Sequence, residues 1–216
     1  IIFADDIHPY KQRKVKILNG SHTAMVPVAY LCGIDTVGEA VTDPVIGKFV
    51  RDFVFEEVNP TINLPQNQMT AFANSVLERY QNPYIRHELM SIALNSTTKF
   101  RTRILPTLTD YVKITGKLPQ HVLFSFAALV AFHKGKRGAE DIRLADDPAY
   151  LAKWKQLWAD FNGDYTLLAK AALGWTQAWE CDMNAIHPQI TSTVAKYLEA
   201  IDTKGMKAAV KEFVNG

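Results

Sequence analysis

The architecture of this chain depends most on the segment Val122-Leu-Phe-Ser-Phe-Ala-Ala-Leu-Val-Ala-Phe132, in which Ser125 is the only polar residue. A segment that is apolar around its whole circumference is typical of a helix buried on every side. Pro119 precedes it and is a common helix-start residue. The segment is too short to cross a bilayer, which takes about 20 apolar residues. We therefore expect a central buried helix and no membrane partner.

The remaining chain indicates helices separated by proline, glycine and asparagine. Apolar residues recur three and four apart, and strand signals are nearly absent outside residues 14–18. The class is therefore all-α, a multi-helix bundle.

Residues 135–147 are charged and aperiodic and predict an exposed loop, and the tryptophans at 154, 158, 175 and 179 predict core packing. Helices are predicted at 44–55, 65–80, 84–94, 99–114 with a kink or new start at Pro106, 148–161, 164–173, 188–201 and 204–214.

Composition narrows the class of protein. The chain has 216 residues, of which 48% are hydrophobic, enough for one substantial core and one domain, 1–216. It has 24 Lys plus Arg against 22 Asp plus Glu, and its one basic run, 133–137, reads as a solvated loop. No nucleic-acid partner is expected. Cys32 and Cys181 lie far apart, so the sequence suggests neither a disulfide scaffold nor a metal site, and a cytoplasmic setting fits best.

A candidate site lies in Lys14-Val-Lys-Ile-Leu-Asn-Gly-Ser-His22. Lys14 arrives from an extended piece, and Asn19-Gly-Ser resembles a helix start, so Asn19 and His22 would share the face of a first turn. An amine can exchange a proton with an alcohol while an amide and an imidazole polarise the same oxygen. The alternative is that Asn19-Gly-Ser only caps a helix, that His22 is an ordinary half-buried histidine, and that Lys14 is one of several solvated cations.

The spacing Lys-x4-Asn-x2-His resembles the catalytic signature of the polyol-specific long-chain dehydrogenase (mannitol dehydrogenase) family. Residues 14–41, KVKILNGSHTAMVPVAYLCGIDTVGEAV, resemble its tagaturonate reductase (altronate oxidoreductase) branch. The likeness continues through Phe55-Glu-Glu-Val-Asn-Pro60, Asn82-Pro-Tyr-Ile-Arg-His87 and Ala93-Leu-Asn-Ser-Thr-Thr-Lys-Phe-Arg101. It covers nearly the whole chain.

This resemblance implies roles for the candidate residues. Lys14 would be the general acid or base, while Asn19 and His22 would bind and polarise the reacting oxygen without a metal. The chain would be the helical C-terminal substrate and catalytic domain, with a fold like the C-terminal domain of 6-phosphogluconate dehydrogenase. NAD would be bound mainly by an N-terminal Rossmann domain absent from this chain, which has no Gly-x-Gly-x-x-Gly turn after a strand. That domain would be its partner, and the fragment alone would be inactive.

A cluster of cations follows the loop at Asn95. Lys99, Arg101 and Arg103, with Arg86 upstream, could bind an anion at a helix start, although a solvated helix face would look similar. The resemblance favours substrate binding, because a uronate carries a carboxylate, and Lys99 is the strongest candidate.

Two classes of function follow. The first is an NAD-dependent oxidoreductase that interconverts tagaturonate and altronate, with mannitol or fructuronate (mannonate) dehydrogenase as the alternative within the family. The second is a helical binding or assembly module without chemistry. Convergence of Lys14, Asn19 and His22 would favour the enzyme.

Overall fold

A computed structural model describes residues 6–216. Two π-helical turns, Lys14–Asn19 and Phe53–Val58, and two short 3-10 turns, Asn59–Thr61 and Met183–Ala185, join or separate the other elements. These other elements are α1 (His8–Arg13), α2 (Gly20–Leu31), α3 (Val37–Thr42), α4 (Pro44–Asp52), α5 (Gln66–Tyr80), α6 (Leu89–Ala93), α7 (Ser96–Arg103), α8 (Leu105–Thr115), α9 (Gln120–Phe132), β1 (Lys136–Arg137), β2 (Glu140–Asp141), α10 (Pro148–Ala159), α11 (Tyr165–Leu173), α12 (Thr176–Trp179), α13 (Ile190–Lys204) and α14 (Met206–Asn215).

Helix α9 is the centre of the bundle, as its sequence predicts. Every residue from His121 to Phe132 is buried. The helix packs between α2 and α13, and α13 also contacts α11 and α14. The strands β1 and β2 form a two-residue antiparallel hairpin, the only sheet in the described range. The all-α prediction is confirmed, and no helix among residues 6–216 has the length and apolar content to span a bilayer.

The buried start of α9 is held by one carboxylate. Glu57 lies in the second π-turn, and its side chain is only 5% exposed. Its Oε1 accepts the backbone N–H of His121 at 2.7 Å, and its Oε2 accepts that of Val122 at 2.9 Å. The Nδ1 atom of His121 lies 2.9 Å from the same Oε1. A helix N-terminus carries unpaired N–H donors and partial positive charge. The buried Glu57 carboxylate accepts two of these donors, and its negative charge is favourable beside the positive helix end.

Proline and glycine mark several helix boundaries correctly. Pro44 occupies the first turn of α4, and Pro65 immediately precedes α5. The helical pattern around Pro106 breaks at Ile104, which separates α7 from α8, and Gly116 ends α8 with φ +67°. These predictions are confirmed.

The predicted helix at 84–94 is wrong, because only α6 is helical there. The backbone before α6 pairs with another loop instead. The N–H of Val37 donates to the carbonyl of His87 at 2.9 Å, and that of Leu89 donates to the carbonyl of Asp35 at 2.8 Å. Hydrogen bonds to a distant segment therefore replace the local helical ones over this stretch.

The start of the chain also differs from the prediction. Residues 14–18 are not extended, and Asn19 does not begin a helix. Instead α1, the first π-turn and α2 follow one another without a break, so His8 to Leu31 form one continuous helical rod. Asn19 makes no side-chain capping hydrogen bond. The valine and isoleucine of this stretch suit a strand, but Ile17 is buried as part of the core packing of this rod.

The predicted loop 135–147 is only partly exposed, and the solvated reading of 133–137 is wrong for His133. The His133 side chain is 1% exposed and stacks on Trp154 at 4.7 Å between ring centroids. Asp146, also 1% exposed, accepts the N–H of Thr97 at 2.9 Å and so caps α7. The tryptophans at 154, 175 and 179 are buried, which confirms their core role.

Acidification is expected to destabilise this core. Burial lowers the pKa of His133 from 6.5 to about 4, although its bond to the Leu129 carbonyl and the nearby Asp146 oppose the shift. Between these values the unfolded chain binds a proton that the folded chain does not. The contribution of His133 to the free energy of unfolding should therefore fall by about 3 kcal/mol as the pH drops from 6.5 to 4.

Urea unfolding at several pH values measures this slope. The His133→Gln variant should lose part of it, since a neutral amide does not titrate. An unchanged slope in the variant would assign the pH dependence to other groups.

Candidate active site

The three residues of the candidate signature lie on one helical rod, and the π-turn sets their relative direction. At the end of the turn the N–H of Gly20 is shared between the carbonyls of Val15, five residues earlier, and Ile17, three residues earlier. The wider turn of a π-helix brings a residue closer to the side of the residue five positions later than an α-helix does, so Lys14 lies towards the side of Asn19. His22 follows three residues after Asn19 in α2 and shares its face. Helical spacing therefore brings Lys14, Asn19 and His22 to one side of the rod.

Two lysines of this rod have opposite surroundings. Lys16 is buried, and its Nζ donates to Asp110 at 2.6 Å and to the Thr61 hydroxyl at 3.1 Å. Lys14 is exposed, and among residues 6–216 no carboxylate lies within ion-pair distance of its Nζ. Lys16 therefore has a structural role, whereas the amine of Lys14 is open to a ligand.

His22 lies in a half-buried cluster of rings and one guanidinium. Its ring is 4.2 Å from that of Tyr80 and 5.2 Å from that of His87, between centroids. Burial, helped by His87 and Arg103, lowers the pKa of His22 to about 4. The imidazole is therefore neutral at physiological pH. Its Nε2 is buried and has no hydrogen-bond partner in the described chain, so its hydrogen-bonding capacity is unused there.

Helix α7 brings two cations to the same region. The Nη1 of Arg103 donates to the Thr23 hydroxyl at 3.3 Å, and that hydroxyl donates to the Asn19 carbonyl at 2.9 Å. Lys99, one turn earlier, lines a small pocket with Thr23 and donates to the carbonyl of Ile92 at 2.8 Å. Burial and the charge of Arg103 lower the pKa of Lys99, while Asp146 opposes the shift.

The other two cations of the predicted cluster are directed elsewhere. Arg101 pairs with Glu180 at 2.9 Å and donates to the carbonyl of Ala178 at 3.4 Å. Arg86 is exposed and pairs with Glu88. The structure thus brings Lys99 and Arg103 towards the candidate signature and gives Arg86 and Arg101 carboxylate partners of their own.

Tyr80 and His87 belong to this site but were not selected from the sequence. Tyr80 ends α5, and His87 lies in the loop before α6. Both reach His22 from more than 55 residues away in the chain, so no local spacing connects them with it. The only sequence signal is that His87 falls inside one of the motifs that resemble the family.

The arrangement has the parts for proton exchange at a carbonyl or alcohol oxygen. A free amine can donate or accept the proton, and an amide and a neutral imidazole can hydrogen-bond the same oxygen. The described residues contain no strand longer than two residues, so they do not form a Rossmann fold.

Known proteins are similar to this chain in sequence and in fold. Altronate oxidoreductase of Enterobacter sp. (strain 638) is 45% identical over 215 residues, and that of Cronobacter sakazakii (strain ATCC BAA-894) is 47% identical over 214 residues. These alignments cover 98% and 97% of this chain. The chain spans 44% of the length of each relative.

Solved structures agree in fold. Mannitol 2-dehydrogenase of Pseudomonas fluorescens, solved as a ternary complex with NAD and D-mannitol, matches with a TM-score of 0.86 at 20% identity, over 99% of this chain and 42% of that one. A D-sorbitol dehydrogenase matches with a TM-score of 0.80 at 19% identity, over 96% of this chain and 41% of that one. The family model described as mannitol dehydrogenase C-terminal domain matches residues 6–202. The chain therefore belongs to the mannitol dehydrogenase C-terminal domain family.

Proposed function

We propose that this chain is the substrate and catalytic part of an NAD-dependent oxidoreductase that interconverts tagaturonate and altronate. One structural observation supports the chemistry: a π-turn spans Lys14–Asn19, and α2, which carries His22, follows it without a break, so helical spacing favours one side for the three residues. The relatives named altronate oxidoreductase support the choice of substrate. Mannitol and fructuronate are the alternatives within the family.

In the reducing direction the ammonium of Lys14 gives its proton to the carbonyl oxygen of the ketose. The carboxamide of Asn19 and the neutral imidazole of His22 hydrogen-bond that oxygen and stabilise its growing negative charge. In the oxidising direction the neutral amine of Lys14 takes the alcohol proton. A low pKa suits His22 for this role, since a neutral ring leaves Lys14 as the nearby proton donor.

A bound nicotinamide would supply or accept the hydride. Because the described residues form no dinucleotide fold, we assign its binding mainly to an N-terminal Rossmann domain in the portion of the relatives that this chain does not match. The exposed amine of Lys14 faces outward from the helical bundle, as a site shared with such a domain requires.

The substrate carboxylate has two candidate partners. Lys99 and Arg103 lie one turn apart on α7, and Arg103 donates to Thr23 on the helical rod that carries Lys14, Asn19 and His22. A cation pair beside the reacting oxygen suits a sugar acid better than a neutral polyol. This feature supports a uronate substrate.

Replacing Lys99 by alanine should reduce kcat/KM for tagaturonate by about ten- to a hundredfold, the effect of losing one charge-assisted hydrogen bond. Activity on a neutral ketose should hardly change, because that substrate has no carboxylate to lose. Steady-state kinetics on both substrates provide the measurement.

The Arg101→Ala variant is the matched comparison on the same helix. Its guanidinium pairs with Glu180, so both substrates should react nearly as before. Equal losses on both substrates in Lys99→Ala would instead give Lys99 a role in the fold.

The proposed function itself is tested with the full-length enzyme. NADH oxidation is followed with tagaturonate, fructuronate and fructose at equal concentrations. Highest kcat/KM with tagaturonate is the expected result. Highest kcat/KM with fructuronate or fructose would reassign the substrate, and no turnover with any of them would favour a binding or assembly module.

A further inference from the structure

We propose that Tyr80 is a positioning residue that holds the π-turn of the catalytic rod and thereby keeps Lys14 aligned with Asn19. This inference rests on the proposed function and adds a residue to it. Tyr80 belongs to α5, a separate helix that contacts the π-turn, so its hydroxyl can fix this segment from outside.

The hydroxyl hydrogen bonds of Tyr80 and the pairing of its ring with His22 fall on this rod. Its hydroxyl donates to the carbonyl of Leu18 at 2.7 Å and lies 2.8 Å from the Oγ of Ser21. The Ser21 hydroxyl in turn donates to the carbonyl of Ile17. The Tyr80 ring packs against His22, 4.2 Å between centroids. One side chain therefore contacts the π-turn and the candidate polarising residue together.

A π-turn needs such outside support. Where five-residue hydrogen bonds give way to four-residue ones, backbone carbonyls lose their usual donors, and a buried carbonyl without a donor is costly. The carbonyls of Ile17 and Leu18 lie inside the turn. That of Ile17 accepts the N–H of Gly20 and the hydroxyl of Ser21, and that of Leu18 accepts the hydroxyl of Tyr80. These two hydroxyls stabilise the π form of the backbone over the ordinary α form.

The alternative backbone would separate the catalytic groups. An α-helix turns about 100° per residue, so two residues five apart point about 140° away from each other. If the segment Lys14–Asn19 relaxed to that form, Lys14 would point away from Asn19. Whether this segment is π-helical or α-helical therefore controls whether the Lys14 amine and the Asn19 carboxamide can contact the same substrate oxygen.

Tyr80 is suited to hold the turn but not to exchange protons. Its side chain is buried, and burial raises the pKa of its phenol above the usual range. The hydroxyl therefore stays protonated and remains a permanent donor to Leu18 at neutral pH.

The test is Tyr80→Phe in the full-length enzyme, which removes the hydroxyl and keeps the ring against His22. We expect kcat to fall about tenfold or more, the effect of misplacing a catalytic group, with KM for tagaturonate changed less than about twofold. Tyr197→Phe is the matched control, because Tyr197 also loses a hydroxyl hydrogen bond, to Gln120 at 2.6 Å, but lies on α13. Its kcat should equal that of the wild type.

A double-mutant cycle with Lys14→Ala separates positioning from general damage. If Tyr80 acts through Lys14, adding Tyr80→Phe to Lys14→Ala should lower kcat by less than about twofold further. Fully additive losses would overturn the inference. So would an unchanged kcat in Tyr80→Phe while Lys14→Ala is inactive, a result that leaves the proposed function intact.

Failure of the proposed function has a different signature, since Lys14→Ala would then retain its kcat. Should Tyr80→Phe not fold, Ser21→Ala removes the neighbouring donor from Ile17 and replaces serine with a good helix former. Its kcat should fall about threefold or more with unchanged KM. A wild-type kcat in that variant would count against the inference.

Discussion

Replacing Lys14 by alanine is expected to lower kcat of the full-length enzyme by about two to four orders of magnitude, the usual loss when a positioned general acid or base is removed. The amine of Lys14 is exposed and has no carboxylate partner within the described residues, so its removal disturbs no structural contact there. Steady-state kinetics measure the loss, and added small amines should restore part of the rate.

Lys11→Ala is the matched control for this experiment. Lys11 is also exposed and lies in α1, less than one turn before Lys14. Its removal changes the net charge equally and should leave kcat unchanged. A Lys14→Ala enzyme with more than about a tenth of the wild-type kcat would show that Lys14 does not transfer the proton.

The second large effect concerns stability. Glu57→Ala should lower the free energy of unfolding by about 3 to 5 kcal/mol, because it leaves two buried N–H donors of α9 and the His121 ring without their carboxylate. The loss should be large because α9 is the central helix and every residue from His121 to Phe132 is buried. Urea unfolding followed by tryptophan fluorescence measures it.

Glu56→Ala is the neighbouring control, since Glu56 is exposed in the same π-turn. It should change the free energy of unfolding by less than about 0.5 kcal/mol. Similar values for the two variants would mean that the π-turn, and not the carboxylate at position 57, supports the start of α9.

The sequence predicts those parts of the fold that depend on local physics. Helix α9 follows from an apolar surface on every side, and Pro44, Pro106 and Gly116 mark boundaries through restrictions on their own backbones. Long-range hydrogen bonds were not predictable in this way. The pairing of residues 87–89 with residues 35–37 prevents a helix that local periodicity favours.

The candidate site shows the same division. Lys14, Asn19 and His22 are predicted from their chemistry and spacing together with the family resemblance, and their roles remain predictions. The backbone that aligns them was not predicted, because a π-turn has no distinct residue preference comparable to that of proline or glycine. Sequence spacing could not place Tyr80 and His87 beside His22, because the contacts between these rings arise only in the folded chain.

The π-turn also has a consequence for comparing chains of this family. Four residues of α-helix and five residues of π-helix both return a side chain to the same face. An evolving helix could therefore gain or lose one residue between Lys14 and Asn19 and keep the two groups together, provided the backbone changed form at the same time. A one-residue gap at this place in an alignment would then mark a change of helix type and no loss of the site. The spacings Lys-x3-Asn in an α-helix and Lys-x4-Asn in a π-helix would place the two side chains on the same face.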